Sequence, residues 1–169
     1  MPTTRAASAE HGSIFDQAAY WLVVAATYFL VGVLFLYSGK GKLFDDDGKA
    51  PAALAKQFEG TFIDTFPGVN TAWVILGVFE LGVVLLILVS LVRGEFLPNR
   101  PKAVLLTALA LGLLTFACLS FGQTSTGNNE GTASLYTYFA STAVIFLLVL
   151  RLPPNGPRAW LSARAARGT

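Results

Sequence analysis

One cysteine, one histidine and one methionine in 169 residues remove several chemistries before any pattern is read. Cys118 has no second thiol to meet, so the chain forms no intramolecular disulfide and runs no dithiol relay to a quinone. His11 lies in a polar N-terminal tail and Met1 begins the chain. A buried haem with His/His or His/Met ligands therefore cannot be built, no metal-ligand set is spaced for binding, and an electron-carrying cytochrome is excluded. Charge is scarce as well. Only 13% of residues are charged, against about 25% in a typical soluble domain. The net charge of +2 is scattered along the chain and gives no electrostatic footprint for nucleic acid.

What is abundant is hydrocarbon: 54% of residues are apolar and the mean hydropathy is +0.59. A bilayer core of about 30 Å needs roughly 20 apolar residues in helix. Four segments meet that measure, at Ala18–Ser38, Ala72–Val92, Ala103–Phe121 and Leu135–Leu152. Breakers or charges bound each of them: Gly39-Lys40-Gly41-Lys42, Pro67-Gly68, Pro98 with Pro101, and Pro153-Pro154. The sequence predicts an all-α protein, a four-transmembrane-helix bundle forming one domain over residues 18–152, with tails at 1–17 and 153–169. The first apolar run, Ala18 to Tyr37, is too long for the core of a cleaved signal and reads as a signal anchor.

Basic residues predict the orientation. Arg5, Arg93, Arg100, Lys102, Arg151, Arg158, Arg164 and Arg167 fall on one side, eight against the four of Lys40, Lys42, Lys49 and Lys56. Both termini are expected in the cytoplasm and the first and third loops outside, in a bacterial plasma membrane. The arginines of the C-tail, with Trp160 and Leu161 between them, suit a segment held at anionic headgroups.

In the first loop, Leu54, Phe58, Phe62 and Phe66 recur at steps of four within Pro51–Phe66, which predicts one amphipathic helix. Two placements fit it: flat on the membrane surface with the phenylalanines down, or a lid packed on the ends of the bundle. Small residues recur every seven positions at Ala18, Ala25, Gly32 and Gly39, and again at Ala103, Ala110 and Ala117. Such stripes predict faces where helices approach closely in lipid. Cys118 is expected to fill space between helices. Asp45-Asp46-Asp47-Gly48 lacks the alternating spacing of a calcium loop and reads as a solvated turn.

Glu80 is the ionisable residue that falls well inside a span. A carboxylate at that depth must face the bundle interior, take a proton or find a partner. Lys40 and Lys42, at the end of the first helix, are the cations within reach, and Ser38, Thr137 and Ser141 are candidate neutral partners. Gly77, one turn before Glu80, leaves room beside it. Two readings stand. A Glu–Lys pair fixes the register of the first two helices, or it serves a proton, a quinone head group or a partner's charge.

The run Val31-Gly32-Val33-Leu34-Phe35-Leu36-Tyr37-Ser38-Gly39-Lys40-Gly41-Lys42-Leu43-Phe44 resembles the opening of the DoxX-like membrane proteins. Leu76-Gly77-Val78-Phe79-Glu80-Leu81-Gly82 resembles that family's second signature. The resemblance covers about residues 20–152 and marks Gly39, Lys42, Gly77 and Glu80. It implies a four-helix membrane protein related to the DoxD-type subunit of thiosulfate:quinone oxidoreductase, an accessory or anchoring partner in redox assemblies. The expected function is an accessory subunit of a bacterial respiratory or redox assembly, with other membrane subunits and the lipid bilayer as partners and no catalysis or cofactor of its own. A quinone-interacting oxidoreductase subunit is the alternative, and a small proton-coupled transporter a third.

Overall fold

The computed structural model describes residues 4–97 and 100–152, with side chains from residue 18 onward. Helix α1 runs from Thr4 to Lys40 and winds into a wider π-helical turn at Gly41–Asp45. Two short helices follow, α2 (Ala52–Gln57) and α3 (Phe62–Thr65). Then come the long helices α4 (Val69–Val92), α5 (Ala103–Ser125) and α6 (Asn129–Arg151). No strand occurs among the described residues. Four helices are long and apolar enough to cross a membrane, spanning Ala18–Asp45, Val69–Val92, Ala103–Ser125 and Asn129–Arg151. In lipid a helix satisfies its own backbone polar groups, which is why spans of this kind take helical form.

The four helices form a bundle in which α4 lies against α1 and α5, and α6 lies against α5. One end carries α2, α3 and the α5–α6 turn, and is here termed the lid end. The other carries the α4–α5 link and the start of the α1 span. The core is a single cluster around Val31, Phe35, Val83, Ile87, Leu105, Ala108, Leu109, Phe116 and Val149. Phe35 and Phe116 pack with ring centroids 5.2 Å apart, and Gly112 sits against the tip of Phe35. Large apolar side chains such as Leu22, Phe29, Val78, Leu85, Val92 and Leu147 stay exposed on the outside of the helices. In water such a continuous apolar surface would drive aggregation. In a bilayer it is the solvated face.

Helix packing departs from the small-residue stripes. Ala18 and Ala25, like Ala103, Ala110 and Ala117, are exposed rather than interfacial. The buried stripe of α1 is instead Val24, Thr27, Val31 and Phe35, continued by Gly39 and Lys42. That of α4 is Gly77, Glu80, Val83, Ile87 and Ser90. Both follow the spacing of three and four that places residues on one helical face. Volume filling by Val, Ile and Phe sets this interface, and only Gly32 and Gly39 of the expected stripe approach a neighbour, at Ile87 and at Leu81 with Glu80.

The first loop also differs from expectation. Residues 51–66 form two helices rather than one, because the chain turns at Phe58–Thr61 with Gly60 at φ 76°. That left-handed conformation suits glycine and interrupts the helix. Phe58 is buried against Gly122, and Phe62 packs on Phe121 with centroids 5.7 Å apart, whereas Phe66 is exposed. Gln57 donates to Gln123 Oε1 and to Thr126 Oγ1, both at 2.8 Å. The segment is thus a lid on α5. The basic C-tail lies outside the described residues.

Candidate functional site

Lys42 continues the buried face of α1, four residues after Ser38 and seven after Phe35. Its ammonium lies 2.8 Å from Glu80 Oε2 and 2.9 Å from Oε1, and donates to Ser38 Oγ at 2.6 Å. Ser38 Oγ donates in turn to Glu80 Oε1 at 2.9 Å. The triangle is closed: the three ammonium protons have three oxygen acceptors, and both carboxylate oxygens accept. Glu80 and Lys42 are buried, at 2% and 6% exposure. The indole face of Trp73 lies 4.7 Å from the ammonium, a cation–π contact that favours the charged amine in low dielectric. Trp73 Nε1 is itself buried without an acceptor among the described residues.

Two glycines make this approach possible. A Cβ on Gly77 would lie 2.8 Å from Leu43 Cγ and 3.1 Å from Lys42 Cβ. A Cβ on Gly39 would lie 3.0 Å from Leu81 and 3.1 Å from Glu80 Cβ. The π-helical turn is closed by Asp46 N–H donating to Gly41 O at 2.9 Å, and it seats Lys42 and Leu43 on Gly77. Gly39, Lys42, Gly77 and Glu80, far apart in sequence, therefore meet at one point. Lys40 does not join them. It projects to the opposite side and pairs with Asp45 at 2.9 Å, both groups exposed, because two residues along a helix is about half a turn away. Thr137 donates to Ala133 O in its own helix, and Ser141 is exposed, so neither reaches Glu80.

Beside the pair lies a cavity of about 630 Å³ between α4, α5, the start of α6 and the lid. Lys42, Trp73, Leu76 and Phe79 form one wall, Cys118, Leu119 and Phe121 another, and Phe58 and Phe62 the roof, with Gln123 and Asn128 at the lid end. Cys118 is exposed and lines this space instead of filling a gap between helices. The α5–α6 turn borders it in ordered form: Asn128 donates to Gln123 Oε1 at 2.8 Å and accepts from Gly131 N–H at 2.9 Å. No known protein family, curated protein or solved structure matches the chain.

A second buried polar cluster stands at the opposite end of the α1–α4 interface, and sequence reasoning missed it. Glu95, 3% exposed, follows α4 and accepts from the backbone N–H of Val104 at 3.1 Å and of Leu105 at 2.8 Å. It also accepts from Ser90 Oγ at 3.0 Å. The single proton of Ser90 is engaged there, so Tyr28 is the donor in its 2.6 Å contact with Ser90. Glu95 thereby satisfies free N–H groups of the first turn of α5, where negative charge is favourable. Lys102 donates to the carbonyls of Leu97 and Arg100, with its ammonium 5.6 Å from the Tyr20 ring centroid. Burial holds its pKa below the usual lysine value, while the charge of Glu95 pulls it back up. Tyr20 donates to Phe96 O at 2.7 Å, tying the start of the α1 span to the link.

Proposed function

We propose that this chain is an accessory, non-catalytic subunit of a membrane redox or respiratory assembly, a DoxX-like protein of the bacterial plasma membrane with both termini in the cytoplasm. The observation that supports it is the closed triangle of Lys42, Ser38 and Glu80: every ammonium proton and both carboxylate oxygens are engaged inside the bundle. A proton-transferring carboxylate needs an open path to substrate or water. Glu80 is absent from the cavity wall and sits behind Lys42, which favours a register-fixing role over proton delivery to a quinone or proton-coupled exchange. The two quoted motifs, whose marked residues meet at this pair, agree with the DoxX-like reading. An accessory subunit of this kind works by presenting helix faces to partners.

Mild-detergent solubilisation of the tagged chain at native expression tests the proposal. Recovery with one or more membrane proteins of a redox assembly in constant ratio is the expected result. Recovery of the chain alone at every expression level would overturn it.

A further inference from the structure

The cavity beside the ion pair has a length, an opening and a charge that bear on what it could hold. Its wall on α4 runs from Val69 to Phe79, ten residues or about 15 Å of helix, which is half of a hydrocarbon core of about 30 Å and so the depth of one leaflet. The deep part is bordered by Leu76, Phe79 and Leu119, and the amides of Gln123 and Asn128 stand at the shallow end. Ile75 and Phe121 line the cavity and are also exposed, so the space opens sideways toward the leaflet at the lid end. At about 630 Å³ it falls within the usual range of small-ligand sites, roughly 300–1,000 Å³.

Charge narrows the class of ligand. Lys42, the one cation in the wall, is neutralised by Glu80 and has no proton left to offer. The loops of the lid end carry Asp45, Asp46, Asp47, Glu59, Asp64 and Glu130 against Lys40, Lys49 and Lys56, and Lys40 is engaged with Asp45. An anionic head group would meet repulsion there.

We propose that the cavity is a lipid site that takes one acyl chain of a zwitterionic phospholipid from the leaflet at the lid end, its head group resting at the Gln123–Asn128 edge. The chain enters between Ile75 and Phe121, and the lid phenylalanines cover it.

The three tryptophans are Trp21, Trp73 and Trp160, and only Trp73 lines the cavity among the described residues. The test uses the full chain carrying Trp21→Phe and Trp160→Phe in dodecyl maltoside, titrated with phosphatidylcholine bearing a brominated acyl chain, which quenches indole fluorescence on contact. The expected result is saturable quenching that is lost in Cys118→Phe and in Ala72→Phe, two cavity-filling changes on different helices, each checked for an unchanged unfolding midpoint. In the unsubstituted chain the same lipid protects Cys118 from N-ethylmaleimide. Quenching that rises without saturation and is unaffected by either filling variant would reduce the contact to annular lipid and overturn the proposal. Tighter saturation by brominated stearate at alkaline pH, or displacement of the phospholipid by decylubiquinone at lower concentration, would assign the cavity to another ligand and overturn it equally.

Discussion

At Glu80 the cost of burying charge is set against the attraction of a close ion pair. Taking two charges out of water costs several kcal/mol per ion, and their attraction in low dielectric offsets this only where geometry and hydrogen bonding are complete. Here they are complete, with Lys42 and Ser38 filling the oxygens. Removing one partner leaves the other charge buried and alone. Lys42→Met and Glu80→Leu should each destabilise the bundle by about 3–5 kcal/mol, whereas the double substitution should recover most of that loss. Thermal unfolding in detergent, arranged as a double-mutant cycle, measures the coupling; two small, additive effects would contradict it. Gly77→Ala tests the close approach itself. Its Cβ would meet Leu43 Cγ at 2.8 Å, so the π-helical turn must shift, at a cost of about 1–3 kcal/mol. The need for a partner was legible in the sequence, because one acid stood alone in an apolar run. Which lysine answers it was legible too, in a pattern left unread: Lys42 lies four residues after Ser38, on the buried face that includes Phe35, and Lys40 falls on the other side. The Glu95 cluster had a fainter signal. Its acceptors face backbone N–H groups of Val104 and Leu105, and backbone donors leave no mark in a sequence.

Among the elements, the four spans were evident from hydropathy, but their ends were set by turn chemistry that hydropathy does not register. Helix α6 begins at Asn129 because Asn128 accepts from Gly131 N–H, six residues before the apolar run starts at Leu135. The lid shows the same limit, since a period of four predicted one helix and Gly60 breaks it in two. Spacing reports which residues share a face only while the helix continues. Held by Phe58 and by the Gln57 contacts to Gln123 and Thr126, the lid should open more readily in Gln57→Ala. Faster amide exchange over residues 52–66 and faster maleimide reaction at Cys118, with an unchanged unfolding midpoint, are the expected outcomes. Equal exchange rates would show that the packing of Phe58 and Phe62 holds the lid without Gln57. The α4–α5 link makes the complementary case. Glu95→Ala strips the first turn of α5 of its acceptor and leaves buried N–H groups unsatisfied, which should lower stability by about 1–3 kcal/mol and speed exchange at Val104 and Leu105. A surface carboxylate would produce neither effect.

For the whole molecule, the α1–α4 interface has polar networks at both ends and hydrocarbon between them. Glu80 and Ser90 are ten residues apart on one helix face, about 15 Å, with Val31, Phe35, Val83 and Ile87 buried in between. This arrangement ties the two helices together at two points, and sliding by a turn would break both the Lys42–Glu80 pair and the Tyr28–Ser90 hydrogen bond. It also sharpens the difference in charge between the two ends. At the lid end, four lysines less the buried Lys42 leave Lys40, Lys49 and Lys56, set among six carboxylates and further reduced by the Lys40–Asp45 pair. By sequence the tails and the α4–α5 link hold eight basic residues, seven without the buried Lys102. Positive charge in short flanking segments is retained on the cytoplasmic side, so the imbalance predicts that both termini stay inside. Alkaline phosphatase fused after Leu152 should be inactive and green fluorescent protein at the same point fluorescent, while phosphatase fused within the α5–α6 turn at Gly127 should be active. Activity in the reverse pattern would turn the bundle over, placing the lid and its cavity in the cytoplasmic leaflet without altering a single contact within the fold.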